Sequence, residues 1–238
     1  MSTDPVLQVR DLRFGYNPGQ TLIDIDGFTI RKGESIFLRG PSGSGKSTLL
    51  GLIGGVLTPG AGSVVICGQD IMEISSGQRD QIRADHLGII FQQFNLLPYL
   101  SVIQNCVLSC RFSISRKRRA IERHGTVVAA AQNLVRELGL SEQHLSRPVG
   151  ELSVGQQQRV AVARALIGGP DLIIADEPTS ALDYNNRDKF IELLNSQREA
   201  FGSSLLFVSH DNTLAAHFDR SESLTDLNVA DLSQGVVA

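Results

Sequence analysis

A short apolar run, Ile36-Phe37-Leu38, feeds into Gly40-Pro41-Ser42-Gly43-Ser44-Gly45-Lys46-Ser47-Thr48, and a helical run, Leu49-Leu50-Gly51-Leu52-Ile53, follows at once. The segment matches G-x-x-x-x-G-K-[ST] in the strand–loop–helix setting that gives this pattern its meaning. Its glycines let the backbone curl so that successive N–H groups point inward, and the helix start adds positive potential. Lys46 then reaches the β- and γ-phosphates, and the Ser47 hydroxyl suits Mg²⁺. Residues Gly40 to Thr48 are therefore a candidate phosphate cradle, which by itself implies a nucleotide and nothing more.

Two further runs, Leu172-Ile173-Ile174-Ala175 and Leu205-Leu206-Phe207-Val208, are also continuously apolar. Continuous runs predict strands buried on both faces, as in a parallel sheet, whereas residues 1 to 35 alternate in short runs and predict antiparallel strands. Asp176-Glu177 follows the first run and Ser209-His210 the second. Reactive side chains at strand carboxyl ends mark a ligand crevice in α/β folds. An acid there supports Mg²⁺ and a second beside it polarises an attacking water, so Asp176 and Glu177 read as hydrolysis chemistry.

Helical patterns near residues 78 to 85, 101 to 110 and 126 to 138 predict a helical lobe between these strands. Its basic run, Arg111, Arg116-Lys117-Arg118-Arg119 and Arg123-His124, reads as a solvated helix face rather than a lipid-headgroup patch. A formal charge of −3 argues against a nucleic-acid binder. No apolar stretch approaches the roughly 18 residues of a spanning helix, and MSTDPVLQVRDLRF lacks the features of a secretion signal, so cytoplasm is the default compartment. Cys67, Cys106 and Cys110 show no metal-type spacing and read as reduced structural thiols. No repeat or linker divides the chain.

Leu152-Ser153-Val154-Gly155-Gln156-Gln157-Gln158-Arg159 makes the reading specific. Ser153 with Gln156 three residues on is a capping-box pattern, opening a helix through Val160, Ala163 and Ile167 that Gly168-Gly169-Pro170 stops. Such a start, with free N–H groups and a hydroxyl, suits a γ-phosphate. The segment resembles the LSGGQ signature of ABC ATPases, and the ordered motifs resemble that family over residues 6 to 212. The resemblance implies an α/β P-loop NTPase with a mixed β core, an antiparallel β subdomain and a helical subdomain. Residues 1–238 then form one ATPase domain, with a RecA-like core at roughly 1–90 and 160–238 and a helical lobe at roughly 91–159.

The resemblance also implies roles. Tyr16 looks like the aromatic that stacks on adenine, and Gln92, following Phe91, like the glutamine that senses Mg²⁺ and the permease. Ser180-Ala181-Leu182-Asp183 resembles the cross-dimer D-loop, and His210 the switch histidine. Ser153, Gly155 and Gln156 would face the ATP held by the cradle of a second copy, so the family works as a dimer with two composite ATP sites. Lys46, Gln92, Glu177 and His210 are the expected catalytic set, with Ser47, Gln92 and Asp176 toward Mg²⁺. Val154 departs from the usual glycine, and a β-branched residue resists positive φ and adds bulk.

The stretch Phe91-Gln92-Gln93-Phe94-Asn95-Leu96-Leu97-Pro98 with Ser101-Val102-Ile103-Gln104-Asn105 resembles the branch of lipoprotein-release, macrolide-export and cell-division ATPases. That branch implies separate permease subunits, a peripheral place on the cytoplasmic face of the inner membrane, and extraction or export. An importer ATPase for a small polar solute shares every catalytic motif. A soluble ABC protein acting on ribosomes or DNA would need tandem domains or a coiled-coil insertion, and no nucleic-acid partner is expected. Residues 213 to 238 are read as a short helix or a loose tail.

Overall fold

The structure, a computed structural model, describes residues 5–17, 19–180, 182 and 184–230. In chain order its strands are β1 (Pro5–Phe14), β2 (Ile23–Arg31), β3 (Ser35–Arg39), β4 (Ala61–Ile66), β5 (Gln69–Asp70), β6 (Leu87–Ile90), β7 (Leu172–Asp176), β8 (Ser204–Ser209) and β9 (Arg220–Ser223). Its helices are α1 (Lys46–Ile53), α2 (Ser76–His86), α3 (Val102–Phe112), α4 (Ile114–His124), α5 (Val127–Glu137), α6 (Val154–Leu166), α7 (Tyr184–Phe201) and α8 (Leu224–Leu227). They fall into two compact units, Met1–Arg83 with Ser204–Ala238, and Ala84–Ser203.

In the first unit, β1 lies antiparallel between β2 and β4, with Val9 opposite Phe28 on one side and Val64 on the other. Alternation buries Leu7, Val9 and Leu12, and the change of phase after Val9 falls where the register against β4 shifts. The continuous runs behave differently: β3 sits between β8 and β9, parallel to both. Ile36, Phe37 and Leu38 are fully buried beside Leu206, Phe207 and Val208. Phe37, Phe207 and Phe218 form one aromatic cluster with centroids 5.0–6.2 Å apart. The chain after residue 213 forms β9 and α8 and is then pinned by Asn228, which accepts from Asp24 N at 2.7 Å and donates to Leu22 O at 2.9 Å.

The helix predicted near residues 78 to 85 appears as α2. In the second unit β6 and β7 pair in parallel, and the helices predicted near 101 to 110, near 126 to 138 and after Ser153 appear as α3, α5 and α6, with α3 packed on α5 and α6. Ser101, Ser113, Thr126 and Ser153 cap α3, α4, α5 and α6, each accepting from a first-turn N–H.

The basic run corrects the sequence reading. Arg111, Lys117, Arg118 and Arg123 are exposed, but Arg116 is 2% exposed and Arg119 half-buried. Arg116 donates through Nε to Ile167 O (2.8 Å), through Nη1 to Leu87 O (3.1 Å) and through Nη2 to Ala165 O and Ile167 O (both 2.6 Å). Helix α6 ends at Leu166, and its last carbonyls have no intrahelical donor; the guanidinium fork supplies one and complements the negative end of the helix dipole. Burial lowers the Arg116 pKa to about 10, which leaves it charged at neutral pH.

The three cysteines are free thiols: Cys67 is exposed, Cys106 and Cys110 buried in α3. Burial pushes Cys106 up to about 12 and raises Cys110 despite the pull of Arg116 nearby. An unfolded thiol ionises near about 8.5, so above that pH the fold binds more protons than the unfolded chain and loses stability as pH rises toward the Cys106 value. At neutral pH, brief iodoacetamide treatment should add one group to the native chain, on Cys67, and three to the unfolded chain, read by mass. Three adducts on the native chain would contradict the burial.

Candidate nucleotide site

The first unit supplies the cradle. Leaving β3, the chain turns through Gly43 (φ 82°) and Gly45 (φ 94°), left-handed values that glycine adopts without strain, and Gly45 opens α1 without a side-chain cap. A Cβ on Gly45 would also come within 2.9 Å of Ile23 Cδ1. No acid stands in the first turn of α1, so its positive end is left to an outside anion. Lys46 Nζ folds back to donate to Gly40 O (2.6 Å) and Pro41 O (3.0 Å), drawing the loop closed. Ser44 Oγ is buried with no hydrogen-bond partner, and a Cβ on Gly40 would lie 2.7 Å from it. An unpaired hydroxyl buried in a loop of this shape fits a phosphate oxygen as its missing acceptor.

Tyr16 stands beside this loop, its hydroxyl 3.3 Å from Thr48 Oγ1 and its ring edge-on to Phe14 at 4.9 Å. It is 64% exposed, which leaves a ring face open for stacking. Arg39 pairs with Ser209, so the cradle and the exposed His210 leave adjacent parallel strands at the same edge. Ser42 and Ser47 lie within the loop and first turn, Ser42 exposed and Ser47 exposed at the surface of the turn.

The second unit holds the acids. Ile90 pairs with Ala175, so Phe91-Gln92 and Asp176-Glu177 also leave adjacent strands together. Asp176 is half-buried, while Glu177 is nearly buried with φ 46°, a left-handed backbone that a non-glycine residue adopts at a cost. Gln92 is exposed on a turn whose next residues, Phe94 (φ 56°) and Asn95 (φ 49°), are left-handed as well. Arg164 of α6 holds this turn by donating to Asn95 O and Phe94 O, both at 2.6 Å. Asn105 secures the following turn, accepting from Leu97 N and donating to the carbonyls of Leu97, Leu100 and Ser101 at 3.1–3.2 Å.

The capping box is present. Ser153 Oγ accepts from Gln156 N (3.4 Å), and Gln156 Oε1 accepts from Ser153 N (3.0 Å). Ser153 and Val154 are exposed and Gly155 half-buried. Val154 is absent from the residues with positive φ, so its departure from glycine costs no backbone strain and leaves only added bulk. Buried Gln158 donates to Pro178 O at 2.8 Å, tying α6 to the loop after Glu177. Ser180 lies in that loop; Ala181 and Asp183 lie outside the described residues. Sequence reasoning passed over Arg164 and Gln158, whose partners lie 70 and 20 residues away along the chain.

Three comparisons bear on these features. The family model described as ABC transporter matches residues 23–180. The ATP-binding protein LolD of the lipoprotein-releasing system of Shewanella frigidimarina is 37% identical over 225 residues, covering 93% of this chain and 90% of its own. The macrolide export ATP-binding/permease protein MacB of Shigella flexneri is 35% identical over 226 residues, covering 93% of this chain and 33% of its own. Among solved structures, a dimeric ATP-binding cassette in a post-hydrolysis state bound to ADP and Pi matches with a TM-score of 0.77 at 31% identity, over 91% of this chain and 93% of that one.

Proposed function

The chain belongs to the ABC transporter family, as an ATP-binding and ATP-hydrolysing subunit resembling the lipoprotein-release and macrolide-export branch, and from that premise we propose that it drives export or extraction of a lipophilic or lipoprotein-like cargo through separate permease subunits. Residues 1–238 act as one ATPase domain, and two copies close on two ATP molecules. The observation that carries this reading is the signature turn: Ser153 is exposed, with its backbone N–H satisfied inside its own capping box. A helix start exposed in this way is open to an anion carried by another molecule, such as ATP on a second copy. The dimeric cassette with ADP and Pi supports that arrangement.

In this proposal Lys46 transfers donors from the Gly40 and Pro41 carbonyls to the β- and γ-phosphates, Ser44 gives its orphaned hydroxyl, and Tyr16 stacks on adenine. Ser47, Gln92 and Asp176 offer the hard oxygen donors that suit Mg²⁺, which when bound offsets phosphate charge. Glu177 accepts the proton of the attacking water, and His210 contacts the γ-phosphate. Ser153, Gly155, Gln156 and Asp183 act on the nucleotide of the partner copy.

No helix among the described residues is long and apolar enough to cross a membrane. The proposal assigns the crossing to permease subunits and places this chain at the cytoplasmic face of the inner membrane. MacB, which its name describes as ATP-binding and permease in one protein, supports that coupling. Ser153→Arg tests the dimer: the variant should bind ATP like the native chain but fail to form an ATP-dependent dimer by light scattering, with turnover down about a hundredfold. A dimer forming normally on ATP would contradict the composite site.

A further inference from the structure

The signature cap does not stand alone. Gln156 Oε1 is committed to Ser153 N, which turns Gln156 Nε2 toward His144, 3.3 Å from the ring Nε2. An amide NH₂ is only a donor, so His144 Nε2 must accept. The ring is then neutral with its proton on Nδ1, where it donates to Ser141 Oγ at 2.7 Å. The result is a directed chain, Ser141–His144–Gln156–Ser153, running from the 3₁₀ turn Glu142–His144 to the first turn of α6.

The chain borders a cavity of about 430 Å³ lined by Gly139–Ser141, His144, the first turns of α6 and the flank of α7. Among the described residues, the charged side chains that line it are cations, Arg159 of α6 and Lys189 of α7. Glu142, beside His144 on the same turn, is engaged by Arg136 of α5 at 2.9 Å. Arg159 itself is turned to the Leu138 and Gly139 carbonyls, both at 3.0 Å.

We infer that His144 is a positioning residue for the signature serine, holding Gln156 in its capping orientation only while the imidazole is neutral. Protonation makes both ring nitrogens donors and sets Nε2–H against the Gln156 NH₂. The contact is then lost, or the amide turns over and gives up Ser153 N; either way the cap weakens. The signature turn is thereby proton-sensitive, through a residue that lies outside the cap itself. The link to turnover rests on the composite-site reading above, but the hydrogen-bond chain does not.

Hydrogen–deuterium exchange of the peptide containing Ser153 and Gln156, in the nucleotide-free full chain, tests this. Between about pH 8 and about pH 5.5, protection corrected for intrinsic exchange should fall about fivefold on acidification in the native chain. His144→Gln offers a neutral acceptor and should restore high protection at both pH values, while His144→Lys, a fixed donor, should show low protection at both. Protection that ignores pH in the native chain, or that falls equally in His144→Gln, overturns the inference. A native chain that shows the exchange effect but never dimerises on ATP would contradict the composite site and leave this role for His144 intact.

Discussion

Replacing Glu177 by glutamine is expected to lower ATP turnover by about 10²- to 10⁴-fold while leaving ATP affinity within about twofold. Glutamine keeps the length and planarity of the side chain and can hold the same left-handed backbone at φ 46°, so the loop after β7 should stay as it is. In the proposed mechanism, what is lost is the carboxylate that accepts the proton from water. If closure on ATP uses the cradle and the signature turn as proposed, neither of which changes, the variant should accumulate as an ATP-bound dimer. Steady-state phosphate release and light scattering with MgATP check both parts. Turnover within about threefold of the native rate would remove Glu177 from the chemistry.

The second large effect concerns stability. Arg116→Ala should cost about 3–5 kcal/mol, because the carbonyls of Leu87, Ala165 and Ile167 lose a charged donor in a place water does not reach. In a chain of this size that lowers Tm by about 10 °C. Arg116→Lys should recover little of it, since an ammonium cannot reproduce a planar fork that serves three carbonyls. Thermal unfolding of both variants provides the measurement. Losses below about 0.5 kcal/mol in both would show that the α6 end is satisfied without this residue.

Arg116 also shows where sequence stops being legible. In a run of five Lys and Arg residues within about two turns, each charge looks solvated, and the inward face is marked only by Arg116 and Ala120 sharing the i, i+4 spacing. What that face meets, the start of β6 and the end of α6, lies 29 to 51 residues away. The same limit hid Arg164 and Gln158. The motifs fared differently because their meaning is local: β3 and the loop after it, β7 with its two acids, and the Ser153–Gln156 cap each sit within about a dozen consecutive residues. The backbone cost that the sequence implies at Val154 does not arise, since the first residue of a capped helix needs no positive φ.

Whether this ATPase works on a membrane permease is decided by capture of the tagged Glu177→Gln chain from native membranes in MgATP. A permease with few spanning helices and a large external domain should copurify, bound by two copies of this chain. Recovery of ribosomes or nucleic acid with no membrane protein would contradict it.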